Sequence, residues 1–399
     1  MPHNGVIIVH VGAGYHSQSK VSEYRKACSD ALLKAVQLLR AGVEAAAVAA
    51  EAISVLEAAA CTNAGRGSNL TLDGTVECDA GLMVDRGAGG RFAGVGAAPR
   101  LAHPVRVALR MLEVQQRGLS LGREPPNLLV GEGAVRWAEA QSLPVSPASH
   151  LVTPEAQRRY DKYRRSLDEV DRERTADRKR PRLEAADETD SELRDTVGAV
   201  VLDCSGHIAA ASSSGGIMLK HPGRVGQAAV FGCGCWADAA ATTGRYGVGV
   251  STSGTGEQLV MSCLARRVAA EISRSEHAIQ GLQLGLKRGF LGSHYVPPSS
   301  QRLAGAIALR HDPGLGAVDV SWGHCTASFV LGYMAANSDS PQTLCSRLPP
   351  EGTPGATVLS QAVSIRCGPC AEHEPRDRPA SGAEWAAGGA DGEQGAPGL

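Results

Sequence analysis

The sequence predicts a layered α+β fold in which two sheets are flanked by helices. Three observations point there. Apolar residues recur at three- and four-residue steps over 22–40, whereas "GVIIVHVG" (5–12) is a continuous apolar run ended by glycines. Short β-prone runs dominate after position 196. Glycine and alanine are abundant and aromatics make up only 4 %, so packed layers can approach closely.

The elements follow in order. The run 5–12 reads as a strand buried on both faces, closed by the glycine turn "VGAGYHS". Tyr24, Cys28, Ala31, Leu32, Ala35, Leu38 and Leu39 form one face of a helix stopped by Gly42. An Ala-rich helix spans about 43–59, and "CTNAGRGSNLTLDGTVECDAGLMV" places turns between short strands. Helices recur over 105–116 and 131–141. "TVGAVVLD" and "HIAAASSS" flank "CSG" as a hairpin, and "RYGVGVSTSG", "LAGAIALRH", "AVDVSW" and "ASFVLGYM" are further strands. "GEQLVMSCLARRVAAEIS" reads as one amphipathic helix with Leu259, Val260, Cys263, Leu264, Val268 and Ile272 on its buried face.

At 399 residues the chain holds about one large domain, because single cores stop growing at roughly 250–300 residues. Two segments add little to it. The stretch 157–194 is densely charged and reads as a flexible loop, and the tail 371–399 has no apolar period and is expected to be disordered.

Composition excludes several function classes. A net charge of −1 gives no electrostatic footprint for nucleic acid or a membrane surface. No apolar run approaches the roughly 18 residues that span a bilayer, and the N-terminus lacks a secretory pattern. The eleven cysteines then fit reduced thiols in an intracellular protein. "GAGYHS" and "SGTGEQL" place glycines between strand and helix, yet neither is a nucleotide-binding fingerprint. Cys367 and Cys370, with His373 nearby, have metal-like spacing without a second ligand pair, so they read as free thiols. Cys233 and Cys235 in "GCGCW" read as small residues in a tight turn. Nothing calls for a metal or a cofactor.

Two features carry chemistry. Arg178, Lys179, Arg180 and Arg182 form a basic cluster behind Lys162, Arg164 and Arg165. It is either a solvated linker or a signal for a nuclear-import receptor. The second is the bond Asp195-Thr196, where the charged stretch gives way to a core strand. A threonine hydroxyl is a weak nucleophile unless a base activates it, and its own α-amino group becomes that base if the preceding bond is cut. The amine titrates at about 7.7–8.0, close to working pH.

The stretches "VHVGAGYHSQSK", "TNAGRGSNLTLDGTVECDA", "DTVGAVVLD", "SSSGGIMLKHPGRVGQAAVFGCGCW" and "STSGTGEQLV" resemble, in this order and spacing, the asparaginase/isoaspartyl peptidase branch of the N-terminal-nucleophile (Ntn) hydrolases. Within that branch they resemble the threonine aspartases (taspases). The resemblance covers 6 to about 335, more weakly to "SRLPP" at 346–350. It implies a four-layer αββα sandwich that cleaves itself between Asp195 and Thr196. The products would be an α fragment 1–195, including the loop at about 157–194, and a β fragment whose catalytic half is 196–350, followed by the end and tail 351–399. They would stay together as a heterodimer, and two such pairs could associate.

By matching motifs, the resemblance makes Thr196 the nucleophile and Ser214 the hydroxyl that supports self-cleavage. It places Arg224 where a guanidinium binds a substrate carboxylate, and Ser253 and Gly254 at an oxyanion hole. Gly12 and Asn63 become supporting contacts. Arg suits bidentate carboxylate recognition, so an aspartate would serve in cis and in trans. Small-molecule asparaginases resemble "GRVGD", with an acid for the free ammonium of their substrate; here "GRVGQ" puts neutral Gln227 there. That favours a self-activating endopeptidase cutting after aspartate, and the resemblance further implies nuclear regulatory proteins as its substrates, in the nucleus and also the cytoplasm. The rivals are an L-asparaginase/isoaspartyl peptidase and an uncleaved nuclear binding protein.

Overall fold

The apolar run at the N-terminus is strand β1 (Val6–Gly14), buried along its whole length, in a computed structural model that describes residues 5–176, 196–297 and 300–367. Helices α1 (Val21–Arg40) and α2 (Ala45–Ala58) follow, and Gly42 takes φ 74° in the turn between them. Next come β2 (Cys78–Asp85), β3 (Gly90–Ala98), α3 (Pro104–Arg117), β4 (Leu128–Val130), α4 (Gly131–Ala140) and α5 (Pro154–Ala176). Beyond Thr196 lie β5 (Val197–Leu202), β6 (Ile208–Ser214), β7 (Cys235–Asp238), the single turn α6 (Ala240–Thr243) and β8 (Gly247–Gly254). Helices α7 (Gly256–Ser262), α8 (Leu264–Arg274) and α9 (Ala278–Leu284) lead to β9 (Ala304–Asp312), β10 (Ala317–His324), β11 (Ser328–Ala335), β12 (Gln342–Arg347) and β13 (Leu359–Arg366).

The strands form an eight-stranded sheet, β12-β11-β1-β5-β6-β2-β3-β4, and a five-stranded sheet, β13-β10-β9-β8-β7. Alternate residues of a strand face opposite sides, and that alternation builds four layers. Ile7 and Val9 of β1, with Val197, Ala199 and Val201 of β5, pack under α1, α2 and α3. The opposite face, with Ile8, Val200 and Leu202, meets Ile307, Leu309, Val318 and Val320 of the second sheet. The far side of that sheet, with Val248, Val250, Ala304, Ala306 and Ala308, is covered by Leu259, Leu264, Val268, Ile272 and Leu282 of α7, α8 and α9. The order is therefore αββα. Each large side chain buried between layers contributes about 1.5–3 kcal/mol. No helix among the described residues is long and apolar enough to cross a membrane.

The predicted hairpin forms in register, with Leu202 opposite Ile208 and Val197 opposite Ser213. Strands from either side of position 196 interleave in the larger sheet: β1 pairs with β5 and β11, and β2 with β6.

Several expectations need correction. The charged stretch expected as a loop over 157–194 is helical up to Ala176. Ala156 is buried, Tyr160 donates its hydroxyl to the Leu72 carbonyl at 3.1 Å, and pairs such as Arg164–Asp168 at 3.3 Å line the helix. The single amphipathic helix after Gly256 is two helices, broken at Cys263, whose φ is 46°. Cys263 is exposed rather than on the buried face. Cys235 opens strand β7 instead of sitting in a turn. The end assigned to 351–399 contains β13, which pairs with β10 from Ala317 to His324 and packs Val363 and Ile365 against the inter-sheet core. Its polar–apolar alternation carries the physical reason. Asp195, the cluster Arg178, Lys179, Arg180 and Arg182, and Cys370 and His373 lie outside the described residues.

Candidate active site

Thr196 stands immediately before β5 and is only 4 % exposed. The hairpin register places it across from Ser214, the last residue of β6. Its hydroxyl donates to Ser214 Oγ at 3.2 Å and accepts from Gln227 Nε2 at 2.9 Å. Ser214 Oγ also accepts the Gly216 N–H at 3.0 Å. Two of the sequence-predicted residues therefore hold the Thr196 hydroxyl directly.

Arg224 completes the cluster through a cradle of glycines. A Cβ added at Gly216, Gly226 or Gly256 would come within 3.0, 2.8 or 2.6 Å of a guanidinium nitrogen. The Cβ at Gly256 would also fall 2.8 Å from Gln227 Oε1. Gly256, the first residue of α7, is thus where Arg224 and Gln227 converge. Arg224 Nε and Nη2 lie 2.8 and 2.7 Å from Glu257 Oε1, yet Nη2 makes no aligned hydrogen bond. A mostly buried guanidinium with an unused donor suits an incoming carboxylate.

Asn63 supports this arrangement from below. Its Nδ2 donates to the Gly216 carbonyl at 2.8 Å, its Oδ1 accepts from Asn69 N–H at 2.8 Å, and its carbonyl accepts from Gly215 N–H at 2.7 Å. The glycine pair behind Ser214 is therefore pinned. Gly12 acts through backbone geometry: φ is 122° at the bulge in the β1–β11 pairing. Ala13 beyond it donates its N–H to Ser253 Oγ at 3.0 Å. Ser253 and Gly254 end β8, and among the described residues neither hydrogen-bonds to Thr196. Gly254, with φ 142°, lies so close to the chain that a Cβ would come 2.2 Å from the Leu303 carbonyl.

Sequence reasoning missed three contributors. His10 is fully buried, sits 3.1 Å from Ser251 Oγ and contacts the Thr196 backbone. Burial lowers its pKa to about 3, with the Thr196 contact acting the other way, so the ring is neutral. Gly198 permits this, because a Cβ there would fall 2.1 Å from both His10 Nε2 and Ser251 Oγ. Asp79 is buried and accepts N–H bonds from Ala97 at 2.8 Å and Gly226 at 2.7 Å. Burial raises its pKa, opposed first by the charge of Lys220. It anchors the loop that carries Arg224. Glu257 is the third. The motif "VECDA" and the helix start after "SGTG" held Asp79 and Glu257, but only the folded chain shows what they touch.

The arrangement can place a threonine hydroxyl against a carbonyl carbon while a guanidinium holds a nearby carboxylate. Known proteins show the family. The asparaginase family model matches residues 3–339. An isoaspartyl peptidase/L-asparaginase of Xenopus laevis is 33 % identical over 290 residues, covering 70 % of this chain and 80 % of that protein. An isoaspartyl peptidase of Salmonella typhimurium is 34 % identical over 271 residues, covering 66 % and 78 %. A plant-type L-asparaginase of Pyrobaculum calidifontis is 34 % identical over 265 residues, covering 65 % and 77 %. The chain belongs to the asparaginase family of Ntn hydrolases.

Proposed function

We propose that this protein is a threonine aspartase: it cleaves its own Asp195-Thr196 bond and then hydrolyses polypeptides after aspartate. The observation that carries the reading is the neutral Gln227 amide, 2.9 Å from the Thr196 hydroxyl. An aspartate inside a polypeptide presents an uncharged amide nitrogen, and no acid stands at position 227 to attract an ammonium.

In maturation the Thr196 oxygen attacks the carbonyl carbon of residue 195. Ser214 Oγ accepts the Thr196 hydroxyl proton in its hydrogen bond. The C–N bond breaks, and the nitrogen takes up the proton released by the Thr196 hydroxyl and leaves as the Thr196 α-amine. Water hydrolyses the resulting ester to the residue 195 carboxylate and the free hydroxyl. The freed amine then serves as base for substrates in trans. A substrate aspartate displaces the Glu257 carboxylate from Arg224, at little cost because Glu257 is 57 % exposed. Strand pairing of β1 with β5 and β11, and of β2 with β6, favours fragments that remain a heterodimer. Cleavage of nuclear proteins, with import through the basic cluster at Arg178, Lys179, Arg180 and Arg182, belongs to the same proposal.

The second reading is an isoaspartyl peptidase/L-asparaginase, favoured by the names of the curated relatives. It uses the same Thr196 and Arg224 and differs at Gln227. Side-by-side kcat/KM values for an internal-aspartate peptide and free asparagine separate the two. Asparagine as the better substrate overturns the aspartase reading.

A further inference from the structure

Cys233 and Cys263 stand outside the hydrogen-bonded site, yet on the two segments that build it. Cys233 follows the turn Gln227–Ala229 that carries Gln227. Cys263 follows α7, whose first residues Gly256 and Glu257 meet Gln227 and Arg224. Both thiols aim at one acceptor: Cys233 Sγ lies 3.8 Å and Cys263 Sγ 3.7 Å from the Val260 carbonyl oxygen. Cys263 is also the neighbouring group that, after burial, does most to raise the Cys233 pKa. Cys263 is exposed and Cys233 buried. Cys235 belongs to the inter-sheet core instead.

We propose that Cys233 and Cys263 form a peroxide-responsive dithiol that closes to a disulfide and thereby ties the Gln227 segment to the end of α7. The exposed Cys263 sulfur attacks one oxygen of hydrogen peroxide, the O–O bond breaks, and water leaves a sulfenic acid. The Cys233 sulfur then attacks Cys263 Sγ, the S–O bond breaks, and a second water leaves. The two thiols lose two electrons and two protons, and the peroxide is reduced to two waters. Burial, and then the neighbouring Cys263, hold the Cys233 thiol up at about 12. The exposed Cys263 is therefore the first to react.

An S–S bond is about 2.05 Å long, shorter than any non-bonded sulfur contact, so closure draws the Cys263 end of α7 toward Cys233. The effect on turnover rests on the reading given under Proposed function; the disulfide itself does not. A displacement of about 1 Å in a catalytic site can cost up to about 100-fold in rate. Closure is expected to lower kcat/KM by about ten-fold on that scale.

The test treats the full chain with hydrogen peroxide, alkylates residual thiols, digests and maps the cysteines by mass. The expected result is a Cys233–Cys263 linked peptide that dithiothreitol removes and Cys263→Ser abolishes. Cys263 found as sulfinic acid with Cys233 still fully alkylated, or a link to Cys235, overturns the proposal. A parallel assay on an internal-aspartate peptide is expected to lose activity reversibly, with Cys263→Ser insensitive. A linked peptide with unchanged kcat/KM refutes the coupling to the pocket. Mass mapping reads the disulfide even if that peptide is not a substrate, so the two failures are distinguishable.

Discussion

Gln227 donates its side-chain amide to the Thr196 hydroxyl at 2.9 Å, so the residue proposed to separate the two substrate classes also touches the proposed nucleophile. Changing Gln227→Asp puts a carboxylate where an amide donor stood. At about 4 Å and an effective dielectric near 20, a unit charge pair is worth about 4 kcal/mol before solvent screening. A quarter of that is still several-fold, since about 1.4 kcal/mol is ten-fold. The variant is expected to shift the ratio of kcat/KM values toward substrates with a free α-amine, measured on isoaspartyl dipeptide against internal-aspartate peptide. An unchanged ratio removes Gln227 from specificity.

Self-cleavage is expected to depend on Thr196 and Ser214 in different degrees. Thr196→Ala should leave one intact chain on a denaturing gel. Ser214→Ala should slow appearance of the fragment beginning at Thr196 by about 10²–10³, while the lost hydrogen bond costs only about 0.5–1.5 kcal/mol of stability. Maturation within a few-fold of the parent rate would remove Ser214 from the reaction.

Gly256→Ala tests the cradle. Its Cβ would meet the ends of two side chains, Arg224 and Gln227, which can swing aside more easily than backbone. Activity should fall by about ten-fold or more while the melting temperature changes little. A large loss of stability with intact specific activity would contradict this account.

Glu257→Gln should free Arg224 for substrate. The pair is partly exposed, so its contribution is small. KM for an aspartate peptide is expected to drop a few-fold with kcat nearly unchanged, read from steady-state kinetics. A rise in KM would mean that Glu257 orients the guanidinium rather than competing for it.

His324 supplies a pH prediction. Burial lowers its pKa from 6.5 to about 4, and its ring nitrogens sit 2.9 Å from the Thr326 carbonyl and from Ser346 Oγ. The unfolded chain therefore binds a proton that the folded chain refuses. The neutral ring's contribution to stability is complete above pH 6.5 and is lost as pH falls toward 4. One such proton is worth about 1.4 kcal/mol per pH unit. His324→Gln should flatten the pH dependence of guanidinium unfolding in that window by this slope, and an unchanged slope would mean that the ring is protonated in the fold.

Much of the fold was legible because period and punctuation are local. Continuous apolar runs gave β1 and β5, the "CSG" turn gave the β5–β6 hairpin, and a face at three- and four-residue steps gave α1. The boundary errors have equally local causes. Cys263 fits a helical face by spacing, but its left-handed φ breaks the helix there. The charge of α5 hid the buried Ala156 and the anchored Tyr160 that hold it to the body of the protein.

The sequence by itself determined that Thr196 opens a core strand, that Ser214 ends its hairpin partner, and that Arg224 lies among glycines. Strand register and turn chemistry are written in neighbouring residues, so these follow without the rest of the chain. Only the tertiary structure decided that His10 contacts both Ser251 and the Thr196 backbone, that Asp79 anchors the Gly226 turn, and that Glu257 occupies Arg224. Each of these contacts joins segments separated in sequence, by 33 residues for Arg224 and Glu257 and by 147 for Asp79 and Gly226. Periodicity tells which face a residue takes, but not which residue of another layer it will meet.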